Sequence, residues 1–171
     1  MTRHIHFVLF LLSALLSACG GGGSSPYVPS TPVSCSLPLQ YANGSSSGFF
    51  ISTDTASVSR SLNACDFSQW VSATLRVCTD HPALSELSGQ LQQSGSTVFS
   101  FQAINGTPQA SSCLSNSGNA TSLRSFTITP SNATSLSRLT GDWRVVLTDS
   151  APDNNQSGYF IAWALDIQGL R

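Results

Sequence analysis

The sequence predicts an all-β domain, an antiparallel β-sandwich of jelly-roll type. Three observations carry this. Short runs with a two-residue apolar period recur along the chain, and clusters of Gly, Asn, Ser and Pro separate them, which is the pattern of half-buried strands joined by turns. Past the amino-terminal segment, no ten-residue stretch has a helical period. Charged residues are only 9%, Lys is absent, and Ser, Thr, Gly and Asn are abundant, as in a secreted β-rich protein. The weak charge balance offers no basic field for nucleic acid.

The first eighteen residues are a targeting segment. Arg3 supplies a positive start and Phe7 to Leu16 a short apolar run, too short for a permanent membrane helix. The run ends in Leu16-Ser17-Ala18-Cys19, which resembles the bacterial lipoprotein box, in which the Cys is lipidated and becomes the first mature residue. The rival reading is an ordinary secretory peptide with a chance Cys. The resemblance implies acyl chains such as palmitate on Cys19. Each buried CH₂ contributes about 0.8 kcal/mol, so two or more chains hold a protein stably at a membrane. Gly20 in place of Asp resembles the outer-membrane sorting signal. Cleavage before Cys19 would remove Arg3 and leave six Arg against eight Asp plus Glu, a net charge of −2. Residues 19–32 then read as a Gly/Ser/Pro tether, flexible where Gly and Ser dominate and extended at the prolines.

Residues 33–171 are expected to form one domain, long enough for a proper core. Candidate strands are Gly48 to Thr53, Ala56 to Leu62, Trp70 to Val77, Leu84 to Leu91, Thr97 to Ile104 and Phe126 to Thr129. The last element is a long hairpin. Trp143, Val145 and Leu147 share one phase, and after the polar loop DSAPDNNQSG, Ile161, Trp163, Leu165 and Ile167 share another. Both tryptophans are expected in the core, and the loop from Asp149 to Gly158 at one end of the sandwich.

Four cysteines fall in this domain: Cys35, Cys65, Cys78 and Cys113. An even number in an exported chain reads as two disulfides, with three connectivities open. No C-x-x-C spacing and a single His in the mature chain speak against zinc. The strand between Cys65 and Cys78 carries them further apart than the roughly 7 Å a disulfide spans. The preferred pairing is Cys35–Cys65 with Cys78–Cys113.

The final hairpin also carries a resemblance. Gly141, Trp143, Val145, Leu147, Asp149, Gly158, Trp163 and Leu165 match the end of the P domain (Homo B), the module that follows the catalytic domain in kexin-like and many bacterial subtilisin-like proteases. Upstream, Thr79-Asp80-His81 falls where that family has its Thr-His, followed by an alternating strand and the turn Ser94-Gly95-Ser96. The sequence departs from the family at Tyr159-Phe160-Ile161, where Thr-Leu-Asn is usual, and in the long segment between Phe101 and Phe126. The resemblance covers roughly Trp70 to Ile167 and implies a galactose-binding-like jelly roll that stabilises or modulates a protease.

Candidate chemistry is sparse. Gly44-Ser45-Ser46-Ser47-Gly48 matches G-x-S-x-G, but a nucleophile elbow needs a helix after it, and a strand follows. His81 is the one mature histidine and reads as a turn residue bonding locally; Asp80 beside it points to the opposite face. Glu86 is the single Glu and the Asp residues are scattered, so no carboxylate pair suggests a glycosidase. Asp149, Asp153, Asn154 and Asn155 form the densest oxygen cluster, with Asp149 and Asp153 as candidate calcium ligands against the plainer reading of a solvated turn. The expectation is a non-enzymatic, lipid-anchored bacterial surface module that needs no cofactor beyond that calcium and sits in the cell envelope at the outer membrane. It would bind an extracellular protein or glycan. The alternative is a separately encoded partner of a secreted subtilisin-like protease, with a hydrolase last. No binding residues are identified by the sequence.

Overall fold

The computed structural model describes residues 30–42, 48–51, 55–65, 67–111, 113, 120–133, 139–151 and 156–171. Their strands are β1 (Pro32–Tyr41), β2 (Phe49–Ile51), β3 (Ala56–Leu62), β4 (Gln69–Thr79), β5 (Leu87–Gln93), β6 (Ser96–Gln102), β7 (Thr107–Pro108), β8 (Ser122–Ile128), β9 (Gly141–Asp149) and β10 (Gly158–Leu170). One 3₁₀ turn, Ala103–Asn105, links β6 to β7. Every pairing is antiparallel. One sheet has the order β1-β10-β4-β8-β7, with β2 also on β10; the other has the order β3-β9-β5-β6. The chain passes repeatedly between the sheets, which makes a jelly-roll-like sandwich, the expected fold class.

The core is the alternation made physical. Leu75, Leu91, Val145, Leu147, Leu165 and Ile167 meet between the sheets with Trp143 and Trp163, both essentially inaccessible. Trp143 Nε1 donates to the Leu139 carbonyl at 3.0 Å. The Trp163 ring instead lies under Arg60, whose guanidinium carbon is 5.3 Å from the ring centre. Arg60 also donates to the carbonyls of Pro38 and Trp163. It sits beside a bulge in β1, where the register shifts between Leu37 and Gln40. The shift disturbs the ladder to β10, and the guanidinium takes up carbonyl oxygens there. Partial burial lowers the Arg60 pKa from its ordinary value.

The sequence misplaces one phase. Ile161 is expected inside with Trp163, yet Phe160 takes that place. A register shift between Phe160 and Ala162 inserts one residue, which turns Ile161 to the outer face of the sheet. There Ile161 joins Cys78, Cys113, Leu123 and Ala162 in a second apolar cluster, flanked by Tyr41 and Tyr159. The central strand β10 is thereby buried on both faces, a property that alternation alone does not announce. β1 was also not anticipated, because two Ser and two Pro mask its pattern.

The cysteines pair as Cys35–Cys65 and Cys78–Cys113, with Cα separations of 5.7 and 6.4 Å. Cys35 is aligned with Ile167 and Cys78 with Ala162, so the bridges sit at different levels of β10. Thr31 and Arg171 exchange both backbone hydrogen bonds, which clasps the start and the end of the sandwich together.

Candidate functional site

Two places gather polar chemistry. The first lies under the end of the β9–β10 hairpin. Trp143, Val145, Leu147 and Asp149 share one strand phase, so the carboxylate of Asp149 points inward at the end of β9. There it meets His81, which is 3% exposed, at the turn after β4. His81 Nε2 lies 3.2 Å from Asp149 Oδ2. The backbone N–H of Ala83 donates to His81 Nδ1, so Nδ1 carries the lone pair and Nε2 donates to Asp149. The other Asp149 oxygen accepts the Ala151 N–H.

The neighbouring residues complete a clasp. Asp80 accepts the Tyr159 N–H at 2.6 Å, and the Thr79 hydroxyl donates to the Tyr159 carbonyl while accepting the His81 N–H. Gly158 passes so close to His81 that a Cβ would stand 2.4 Å from the His81 Cα. Thr79, Asp80 and His81 therefore hold both ends of the hairpin, Asp149 on one side and Tyr159 on the other. The expectation of a locally bonded turn histidine is half the picture; its long-range partner is Asp149.

This arrangement corrects the reading of Asp149 as a solvated loop oxygen. It is a buried strand residue, and both its oxygens already accept N–H groups. Asp153, the other candidate calcium ligand, lies outside the described residues, as do Asn154 and Asn155. His81, Glu86 and Asp149 bring ligand atoms within 4.8 Å of one another. The donor set does not fit a metal ion, however. A metal on Nε2 would move the ring proton to Nδ1, against the Ala83 N–H, whereas a ligating histidine gives its second N–H to an acceptor. Ser46 and the lipidation candidate Cys19 also fall outside the described residues.

The second place is an open cleft of about 670 Å³ where the β5–β6 side of one sheet meets β7 and β8 of the other. Its lining is neutral throughout: Ser88, Gln90, Ser100, Gln102, Asn105, Thr107, Ser125, Thr127 and Thr148 supply hydroxyls and amides, and Phe99, Phe101 and Phe126 supply aromatic surface. Phe101 and Phe126 have ring centres 4.4 Å apart and join the two sheets. The Phe101 ring fits because Gly89 lies opposite it in the ladder; a Cβ at Gly89 would stand 2.2 Å from the ring. Gln90 Oε1 accepts from Gln92 and Thr97, which fixes its amide and leaves the Nε2 hydrogens as donors. The sequence marks Phe99 and Phe101 only as core strand residues. The signal for the cleft, glycines placed opposite aromatics, acts across strands and needs the register to be read.

No protein-family model matches the chain, and no curated protein matches it significantly. Among solved structures, the serine protease of Aeromonas sobria in complex with its chaperone is similar over 81% of this chain at 18% identity and a TM-score of 0.46. The same protease alone gives 19% identity and the same TM-score. This chain spans under a third of those protease chains, 27% and 28%. The CBM36-1 domain of a multidomain xylanase from the hindgut metagenome of Trinervitermes trinervoides is similar over 81% of this chain and 95% of its own length, at 16% identity and a TM-score of 0.37. These are distant likenesses of shape and assign no ligand to the antiparallel β-sandwich described above.

Proposed function

We propose that the chain is a lipid-anchored, non-enzymatic binding module of the bacterial cell envelope whose neutral cleft takes an uncharged glycan. The observation that carries this is the lining: groups that both donate and accept hydrogen bonds, beside aromatic rings, with no charged side chain. Ligand clefts of about 300–1,000 Å³ have this mixed character. The ring nitrogens of His81, the one mature histidine, are both engaged in the clasp, which leaves the site no acid–base group of that kind. Anchoring rests on Cys19 and its preceding residues, and the outer membrane on Gly20.

The test is a glycan array carrying neutral and acidic oligosaccharides, read with the parent protein and with Gln90→Ala and Phe99→Ala. Neutral glycans should be retained by the parent and bound at least about tenfold more weakly by each variant, equivalent to about 1.4 kcal/mol. Retention of no neutral glycan, or equal binding by the variants, rejects the cleft reading. The second reading is a partner of a secreted subtilisin-like protease. It is favoured by the eight P-domain-like positions, of which Trp143, Val145, Leu147, Trp163 and Leu165 form core and Asp149 and Gly158 form the clasp.

A further inference from the structure

The edges of the two sheets are guarded unequally. β1 carries Pro32, Pro38 and a bulge; β7 is two residues long and includes Pro108; β3 carries Arg60. Pro, charge, bulges and brevity are the devices that prevent strands from pairing edge to edge. β6 reads STVFSFQ, with neither Pro nor charge. Its one device is a register shift near its start, opposite Leu91 and Gln92, and beyond that shift Phe99 to Gln102 run regularly along β5. β6 pairs with β5 alone, and among the described residues none of its backbone groups bonds outside that ladder.

We propose that β6 is a self-association edge, on which β6 of a second copy pairs antiparallel about a twofold axis at Ser100. A homotypic pair sets every residue against its own kind or its mirror position, so any charge near the axis would meet a like charge; β6 has none. Centring on Ser100 keeps the faces in register: Ser100 meets Ser100, and Phe99 stands opposite Phe101 twice, apolar positions facing apolar ones on the side already packed over Gly89 and Phe126. The two four-stranded sheets become one continuous sheet of eight. This inference stands on the strand edge and not on the glycan reading, although Phe99 to Gln102 also line the cleft and a paired copy would border it.

Cysteine crosslinking in intact cells tests it. Ser100→Cys is close to isosteric and sits at the axis, so copper–phenanthroline oxidation should give a covalent dimer on a non-reducing gel. Ser59→Cys, exposed on β3, should not. The chain has no Lys, so co-expressed Ser100→Lys and Ser100→Glu copies should be joined by a carbodiimide, while Ser100→Lys alone should not. A monomeric Ser100→Cys protein, an equal yield from Ser59→Cys, or crosslinking of Ser100→Cys to a different protein would each overturn the proposal.

Discussion

Asp149→Ala is the perturbation that tests the hairpin clasp most directly. It removes one acceptor from two donors. The His81 side chain is wholly inaccessible, so its Nε2–H finds no water and bears the desolvation cost of an unmade bond, about 1–3 kcal/mol. The Ala151 N–H is only part-buried and recovers water, so its loss is nearer the net value of a hydrogen bond, about 1 kcal/mol. Relief from holding a carboxylate in the interior offsets part of this. The expected net cost is about 2–3 kcal/mol, a large share of the roughly 5–15 kcal/mol typical of a domain. Asp149→Asn should rescue it only in part: the single amide oxygen can accept the His81 Nε2–H, and the amide nitrogen then faces the part-buried Ala151 N–H, so one of the two donors goes unmet. The assay is urea unfolding of the oxidised protein followed by tryptophan fluorescence, with His81→Ala and the double mutant completing a cycle. A coupling energy of about 1–2 kcal/mol between His81 and Asp149 is expected, within the range for directly bonded residues. A cost below about 0.5 kcal/mol for Asp149→Ala, or strictly additive single effects, would refute the clasp.

Two further outcomes are expected. Gly89→Ala places a methyl group where the Phe101 ring lies, so it should cost about 1–3 kcal/mol by overpacking in thermal or urea melts and should reshape the cleft, whereas Gly95→Ala, where an added Cβ meets nothing within 4 Å, leaves the cleft untouched. Cys19→Ser removes the thiol that would carry the lipid, so the protein should leave the membrane fraction or persist as unprocessed precursor; unchanged partition and processing would show that Cys19 is not the anchor.

Much of the sandwich was legible in the sequence because its strands obey simple alternation. Trp143, Val145 and Leu147, and likewise Ala73, Leu75 and Val77, are inside as their phase requires. The length of β4 spoke against Cys65–Cys78, and of the two connectivities left the preferred one is the one observed. What alternation could not supply were its interruptions. One inserted residue at Ile161 reverses the phase of Phe160, and no propensity marks it. Asp149 is the instructive case. It stands in phase with Trp143, Val145 and Leu147, so its burial was readable, but its polar neighbours in the loop argued the other way. Its partner His81 is 68 residues away, and only the adjacency of β4 to β10 and the hairpin brings them together. The cleft depends on Gly89 facing Phe101, a relation between strands that a single line of sequence does not encode.

The backbone clasp between Thr31 and Arg171 brings the two ends of the described sandwich to one corner. The segment before Thr31, and anything attached after Arg171, depart from the same corner. β10 ends at that corner after thirteen residues, about 40 Å of extended chain from Gly158. Under the proposed anchoring through the segment before Thr31, the molecule would be held by this corner, with the pole bearing Gly158, His81 and Asp149 pointing away from it. A reporter fused behind Arg171 would crowd the attachment point and leave that far pole clear, whereas an insertion near Gly158 would ride at the tip. On that reading the molecule would have a proximal and a distal end, set by two hydrogen bonds.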